Sequence, residues 1–509
     1  MAPMSTHVSS KPGSGSGGLF RLPDGRSLVV TFALVTTLFL LWGFCNGMID
    51  ILNKHFQDSL RINKQQSGLV QFANYLAYFL MAIPAGLIAR KFGYKGGILV
   101  GLVLIASGAF WFVHAVSIGT YSAFLLGLFI IAAGMACLET IANPYTTVLG
   151  QAEGGTTRIN IAQTFNGIGW ILGPIVGGHF VFSSADGANA NGGLSAPYLG
   201  IGIFVSLLLT IFIFAPVPDL RAEDETWKSV RQKTTPKPTG RQIAGIGVAL
   251  AIVWGLLYLF IAPILGLVWA LLGLPPSSLA PVKCSLVVAA YVGSFAVAVR
   301  NWDMFRRKHF TLGVAAQFLY VAAQTGIFSF CVNYILENDS AVTRQTAAFW
   351  LGSIGFGLFT FGRLCGSGVI SQFRPHLVLA LYAGVNVILC AVTMLGGPAG
   401  LIALFGTFFF MSVMFPTIFA LGIRGLGDHT KLGASLIVMS IVGGAITPPF
   451  MGHIADLHSM RMGMIVPLVC FGFIAVYGAF WRILESQNRL MANPTGILAS
   501  DSKLIEPTA

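Results

Sequence analysis

The sequence predicts an all-α protein that crosses a membrane many times, and three observations predict it. Hydrophobic residues make up 55% of the 509 and charged residues only 9%, against about 25% charged in a soluble domain. The mean hydropathy is +0.78. Glycine, at 61 residues, stands at a level that closely packed membrane helices use and soluble helices avoid. A spanning helix takes about 20 apolar residues, so twelve to fourteen of them consume roughly 240 to 280. What is left suits termini and short loops. A soluble enzyme, a disordered chain and a secreted disulfide scaffold are all excluded.

The elements follow in order. Residues 1–27 are polar and rich in Ser and Gly and read as a disordered cytoplasmic N-terminus. Apolar runs then fall at about 28–51, 68–89, 96–116, 121–149, 159–182 and 198–216, giving a six-helix half over 28–218. A cytoplasmic linker, 219–308, carries two further apolar runs at 243–273 and 282–299. Six more runs, at about 311–335, 346–370, 377–395, 400–422, 433–453 and 464–484, make a second half over 309–485, and 486–509 is a cytoplasmic tail. The total is 14 spans, with two extra helices between the halves. Run 243–273 holds Pro263 and exceeds one span in length, so a bent or re-entrant helix is the alternative there.

Charge orients the chain. With the N-terminus in the cytoplasm, 24 of the 30 Lys and Arg fall inside and 6 outside, the asymmetry that inserted membrane proteins show. The net charge of +12 is thereby assigned to topology, and no nucleic-acid partner is implied. The partners are the lipid bilayer and a small solute. Both termini are cytoplasmic, the membrane is the plasma membrane, and the protein is monomeric. The seven cysteines lack paired spacing and read as reduced apolar fillers.

The halves resemble each other. Pro144 followed by Leu149-Gly150 matches Pro416 followed by Leu421-Gly422, and Pro174 followed by Gly178-His179 matches Pro448 followed by Gly452-His453. The offsets are 272 and 274. Parallel six-helix repeats place a substrate site near the midplane between them.

Of 18 acidic residues, two lie inside spans: Asp50 and Glu139. An acid in a span faces a cavity or a partner, and one kept out of water can hold and release a proton near neutral pH. Asp50 has Lys54 at i+4, so an interfacial ion pair competes with a proton-carrying role. Polar neighbours share each helical face: Asn46, Asp50 and Asn53; Glu139, Asn143 and Thr146; Gln163 and Asn166, with Trp170 a turn further on; Gln317, Tyr320 and Gln324. Amides, a hydroxyl and aromatic faces suit a sugar, although buried amides also serve as helix–helix hydrogen bonds. There is no phosphate loop and no Cys/His cluster at metal spacing, and His179 and His453 near helix ends read as structural.

Specific strings carry a resemblance. Phe44-Cys-Asn-Gly-Met-Ile-Asp50, Gly134-Met-Ala-Cys-Leu-Glu139-Thr-Ile-Ala-Asn-Pro144, Ala162-Gln-Thr-Phe-Asn166 and Gln317-Phe-Leu-Tyr-Val-Ala-Ala-Gln-Thr325 resemble the L-fucose/proton symporter family of the major facilitator superfamily. So do Phe415-Pro-Thr-Ile-Phe-Ala-Leu-Gly422 and Met439-Ser-Ile-Val-Gly-Gly-Ala. The resemblance implies a major facilitator fold and proton-coupled symport of a monosaccharide of the fucose, galactose or glucose kind. It implies Asp50 and Glu139 as the proton-coupling acids, with Glu139 also at the sugar. Gln163, Asn166 and Gln324 are the amides it carries over; the faces above add Asn46, Asn143, Gln317 and Tyr320. No enzyme activity, metal or cofactor is implied beyond a coupling proton, with sodium as the alternative ion. The chain departs from the family at Gly47 and Ile49, where asparagine is usual, and at Lys54, where proline is. Two other functions stay open: a major facilitator exporter of a small metabolite or drug-like compound, suggested by the extra helix pair, and a sugar sensor, which the short tail disfavours.

Overall fold

The computed structural model describes residues 27–149, 155–183, 192–215, 217, 238–426 and 430–492. The expectations for the N-terminus, for most of the 219–241 stretch and for the end of the tail lie outside the described residues. All described elements are helical. In chain order they are α1 (Val29–Ser59), α2 (Leu69–Ile118), α3 (Tyr121–Val148), α4 (Gly155–Ser183), α5 (Gly192–Phe214), α6 (Gly240–Leu271) and α7 (Leu279–Arg300). The second group is α8 (Lys308–Asn338), α9 (Arg344–Gly366), α10 (Pro375–Leu395), α11 (Gly397–Ile423), α12 (Leu436–Leu457) and α13 (Met460–Ser486).

Glycine sets the breaks. Gly93, at φ 72° and ψ −178°, splits α2 into two limbs, so runs 68–89 and 96–116 belong to one chain element. Gly119, at φ 69°, closes the second limb in the left-handed region, where a side chain is disfavoured. Twelve helical stretches among the described residues are long and apolar enough to cross a membrane. The inserted run 243–273 folds as α6 and run 282–299 as α7; α7 is one of the twelve. The two lie side by side, with Trp254 Nε1 donating to Ser294 Oγ at 3.0 Å and the Tyr291 hydroxyl to the Gly247 carbonyl at 3.2 Å. Much of α7 stays uncovered: Leu286, Val288 and Val292 are all more than half exposed, as lipid-facing side chains are.

Buried apolar residues form two large cores. One gathers side chains from Leu28 to Val217, the other from Ala316 to Trp481. Within the first, α1 and α4 touch backbone to backbone. A Cβ on Gly173 would stand 2.7 Å from the Phe44 carbonyl oxygen, one on Gly47 would stand 2.8 Å from that of Trp170, and one on Gly169 would strike the Leu40 carbonyl. Membrane helices gain little from apolar burial against lipid, so this close approach carries their association. Gly169→Val is expected to lower the thermal midpoint of the detergent-solubilised protein, because overpacking such a seam costs roughly 1–3 kcal/mol. Gly200→Val, which meets nothing within 4 Å, is the control expected to leave the midpoint unchanged.

Alternation of the spans puts the start of α1, the end of α3 and the end of α9 on one side, here the near side. The end of α1 and the starts of α2, α3 and α9 lie on the far side.

Candidate functional site

α1 and α2 hold the first acid. Asp50 is 3% exposed, and Gln71 Nε2 donates to its Oδ1 at 2.8 Å while Oδ2 has no hydrogen-bond partner. Lys54 does not pair with it: its Nζ lies 2.9 Å from Asp58, one turn further on. The interfacial ion pair weighed for Asp50 is therefore made by Asp58, and Asp50 is left in a dry site with one amide.

Glu139, half-buried on α3, faces a narrow cleft lined also by Leu38, Phe39, Trp42, Leu138 and Ala142. The indole N–H of Trp42 donates to the Tyr78 hydroxyl at 2.6 Å, which holds the ring as one wall. One turn below Glu139, Asn143 Oδ1 accepts from Gln163 Nε2 at 3.2 Å. A carboxylate, two linked amides and an indole face are a combination that binds hydroxyls and stacks on a ring.

The sequence-predicted residues thus divide. Glu139, Asn143 and Gln163 come together; Asp50 sits deeper, toward the far side. Asn46 donates to the Trp42 carbonyl at 2.9 Å and abuts the Met135 sulfur at 3.7 Å, supporting the Trp42 wall from behind. Asn166 is buried and donates to the Phe39 carbonyl at 3.2 Å, tying α4 to α1. Gln317 and Tyr320 are fully buried on α8, with the Tyr320 hydroxyl donating to the Met411 carbonyl at 2.9 Å and the Gln317 amide unpartnered. Gln324 is half-buried on the same helix. Asn53 donates to the Ser329 carbonyl across the halves, and Thr146 to the Asn143 carbonyl within its own helix. Gly47 packs against α4 and Ile49 is buried in the core.

Four residues were missed. Gln71, Tyr75 and Tyr78 line one face of α2 at i, i+4, i+7, the same spacing that marks α1 and α3. Tyr75 meets Thr325 Oγ1 across the halves at 3.1 Å and lies within electrostatic reach of both Asp50 and Glu139. Arg363, counted with the orienting charges, lies inside α9 with its guanidinium 4.9 Å from the Phe359 ring centroid.

The far side is shut. Arg344 lies 2.8 Å from Asp58 and Lys64 3.2 Å from Glu337. The Asp456 carboxylate accepts from the backbone N–H groups of Lys64 and Gln65 at 3.1 and 2.9 Å. Gln57 pairs with Asn333, His453 with Gln65 and His179 with Gln345. Beneath them a Cβ on Gly68 would meet the Pro449 nitrogen at 2.5 Å, and one on Gly444 the Tyr75 ring at 2.8 Å. Each partly exposed ion pair contributes roughly 0.2–1 kcal/mol. Lys64→Ala with Arg344→Ala is therefore expected to raise the far-open fraction by about two- to thirtyfold. The measure is faster alkylation of a cysteine placed at Ser329, a site 0% exposed behind the closure.

Two six-helix cores facing each other across a closed far side define a major facilitator transporter. Residues 31–440 match the Major Facilitator Superfamily, and the chain belongs to it. Within it the chain belongs to the L-fucose/proton symporter family: it is 36% identical to the L-fucose-proton symporter of Escherichia coli (strain K12), over 90% of this chain and 94% of that one. It is 30% identical to a glucose/galactose transporter of Brucella abortus biovar 1 (strain 9-941), over 88% and 93% of the two chains. A crystal structure of the transporter FucP in the outward conformation superposes with a TM-score of 0.58 at 34% identity, over 90% of this chain and 99% of that one. The chain is a transporter and no enzyme.

Proposed function

We propose that this protein is a proton-coupled importer of a monosaccharide of the fucose, galactose or glucose class, working by alternating access. One observation carries the reading: the two acids occupy opposite environments on one side of a shut gate. Asp50 is sealed with a single amide donor, and a bare carboxylate there would cost several kcal/mol, so the site accommodates the protonated form. Glu139 opens onto a cleft with an indole wall and paired amides, where a charged acceptor strengthens its hydrogen bonds to sugar hydroxyls. The related proteins named for fucose, glucose and galactose agree in substrate class.

The same reading orients the molecule. The near side, which carries most of the basic residues, is the cytoplasm; the far side is external, and the conformation described is closed to the outside. α6 and α7 both cross, giving 14 spans, the halves are 28–218 and 309–485, and the protein sits in the plasma membrane as a monomer. The proposed coupling ion is a proton, which a buried carboxyl with a single amide donor can carry, with sodium as the alternative.

The test is a panel of monosaccharides and candidate metabolites against the thermal midpoint of the purified protein. A rise of several degrees with one hexose or deoxyhexose, lost in Glu139→Gln, is expected. A rise with drug-like metabolites and none with any sugar would replace the reading with export.

A further inference from the structure

Arg363 is a permanent cation inside a membrane helix, where an unpaired charge is costly. Among the described residues it has no ion pair; its Nε is buried without a hydrogen-bond partner, and its guanidinium lies near the Phe359 ring and within electrostatic reach of the Tyr320 hydroxyl. Glu139, half-buried on the other half, has no hydrogen bond or ion pair among the described residues, with Tyr75 and Tyr78 within electrostatic reach.

The contacts place the two at one level. Tyr121, which begins α3, donates to the Gln66 carbonyl at the far side; Glu139 is 18 residues further, or about 27 Å down the helix. Arg344 meets Asp58 at the same far side, and Arg363 is 19 residues further, about 28 Å down. They also share a face of the cleft. Thr360, one turn before Arg363, packs on Gly167 of α4, where a Cβ would stand 2.9 Å from its hydroxyl. Gly167 is one turn from Gln163, which bonds Asn143, which is one turn from Glu139. The halves touch at Thr360.

We infer that Arg363 is the counter-charge of Glu139 when the near side closes. With the far side shut the two stand apart across the open cleft. Closing the near side swings the lower ends of α3 and α9 together, and the guanidinium meets the carboxylate, so the empty carrier returns without burying a bare charge. Arg363 acts on transport by compensating Glu139 and is a positioning residue. The inference rests on the alternating-access reading above, and its test reads conformation, not sugar uptake.

The experiment places spin labels on Leu87→Cys and Phe373→Cys, exposed near-side positions of the two halves, in a background with Cys284→Ser and Cys365→Ser. Distance distributions are recorded in lipid nanodiscs without sugar for every variant, and with fucose, galactose and glucose in turn for the parent. Arg363→Gln and Glu139→Gln, each leaving one charge alone, are expected to cut the near-closed fraction about fivefold or more. The double variant, with neither charge, is expected to return to within about twofold of the parent, and Arg363→Lys to stay close to it. Two single-variant losses that add in the double variant, or no loss in either single variant, would overturn the pairing. A parent whose distances ignore every sugar while the variant pattern holds would fault the substrate reading and leave the pairing standing.

Discussion

Glu139→Gln is expected to abolish sugar uptake driven by a proton gradient and to stop sugar exchange as well. The substitution keeps the size of the side chain and removes its charge. Glu139 faces the cleft beside Trp42, with Asn143 and Gln163 a turn away. A hydrogen bond to a charged group contributes about 1.5–3 kcal/mol, so sugar affinity should fall roughly ten- to 150-fold. Counterflow of labelled sugar in proteoliposomes, which needs binding and conformational exchange but no gradient, reads this directly. A Glu139→Gln protein that exchanges sugar at the parental rate would remove Glu139 from the binding site.

Asp50→Asn is expected to separate exchange from accumulation. Asn fills the same volume, and its carbonyl oxygen can accept the 2.8 Å bond from Gln71. What it cannot do is take or release a proton. A protein with a permanently neutral group at this position resembles the proton-loaded carrier, so it should exchange sugar across the membrane and fail to concentrate it when an inward proton gradient is applied. Accumulation at parental levels in Asp50→Asn would place the coupling elsewhere. The contrast between the variants is the point: Glu139→Gln loses both activities, and Asp50→Asn loses only one.

Much of this was legible in the sequence, for identifiable reasons. Scarcity of charge fixes the class of protein, and the isolation of Asp50 and Glu139 follows from the cost of placing a carboxylate in lipid, which leaves acids only where they work. Helical periodicity placed Asn143 beside Glu139 correctly because those two share a helix. It did not say which way a helix is turned in the bundle. Gln317 and Tyr320 keep the same polar spacing as the cleft residues, yet they are fully buried. Gln71, Tyr75 and Tyr78 carry the spacing too, but with no acid among them to draw notice.

Charge counting has its own blind spot. It groups Arg363 with the basic residues that orient the chain, because counting assigns each cation to a side of the membrane even when, like Arg363, it falls inside an apolar run, here 346–370. The gate was out of reach for another reason. Asp58 with Arg344 and Asp456 with the amides of Lys64 and Gln65 join positions hundreds of residues apart, and no local pattern announces them. His179 and His453, read as structural from their helix-end positions, do sit in that closure, bonded to Gln345 and Gln65.

The central claim is that sugar and proton cross together, and the measurement that tests it most directly is proton flux on sugar addition. Purified protein in proteoliposomes at uniform pH, without any imposed gradient, is given fucose, galactose or glucose outside, and the external pH is recorded. The account predicts an immediate alkalinisation with one of these sugars, in proportion to sugar entering, and none with Asp50→Asn. Sugar entry in the parent protein with no movement of protons would contradict it.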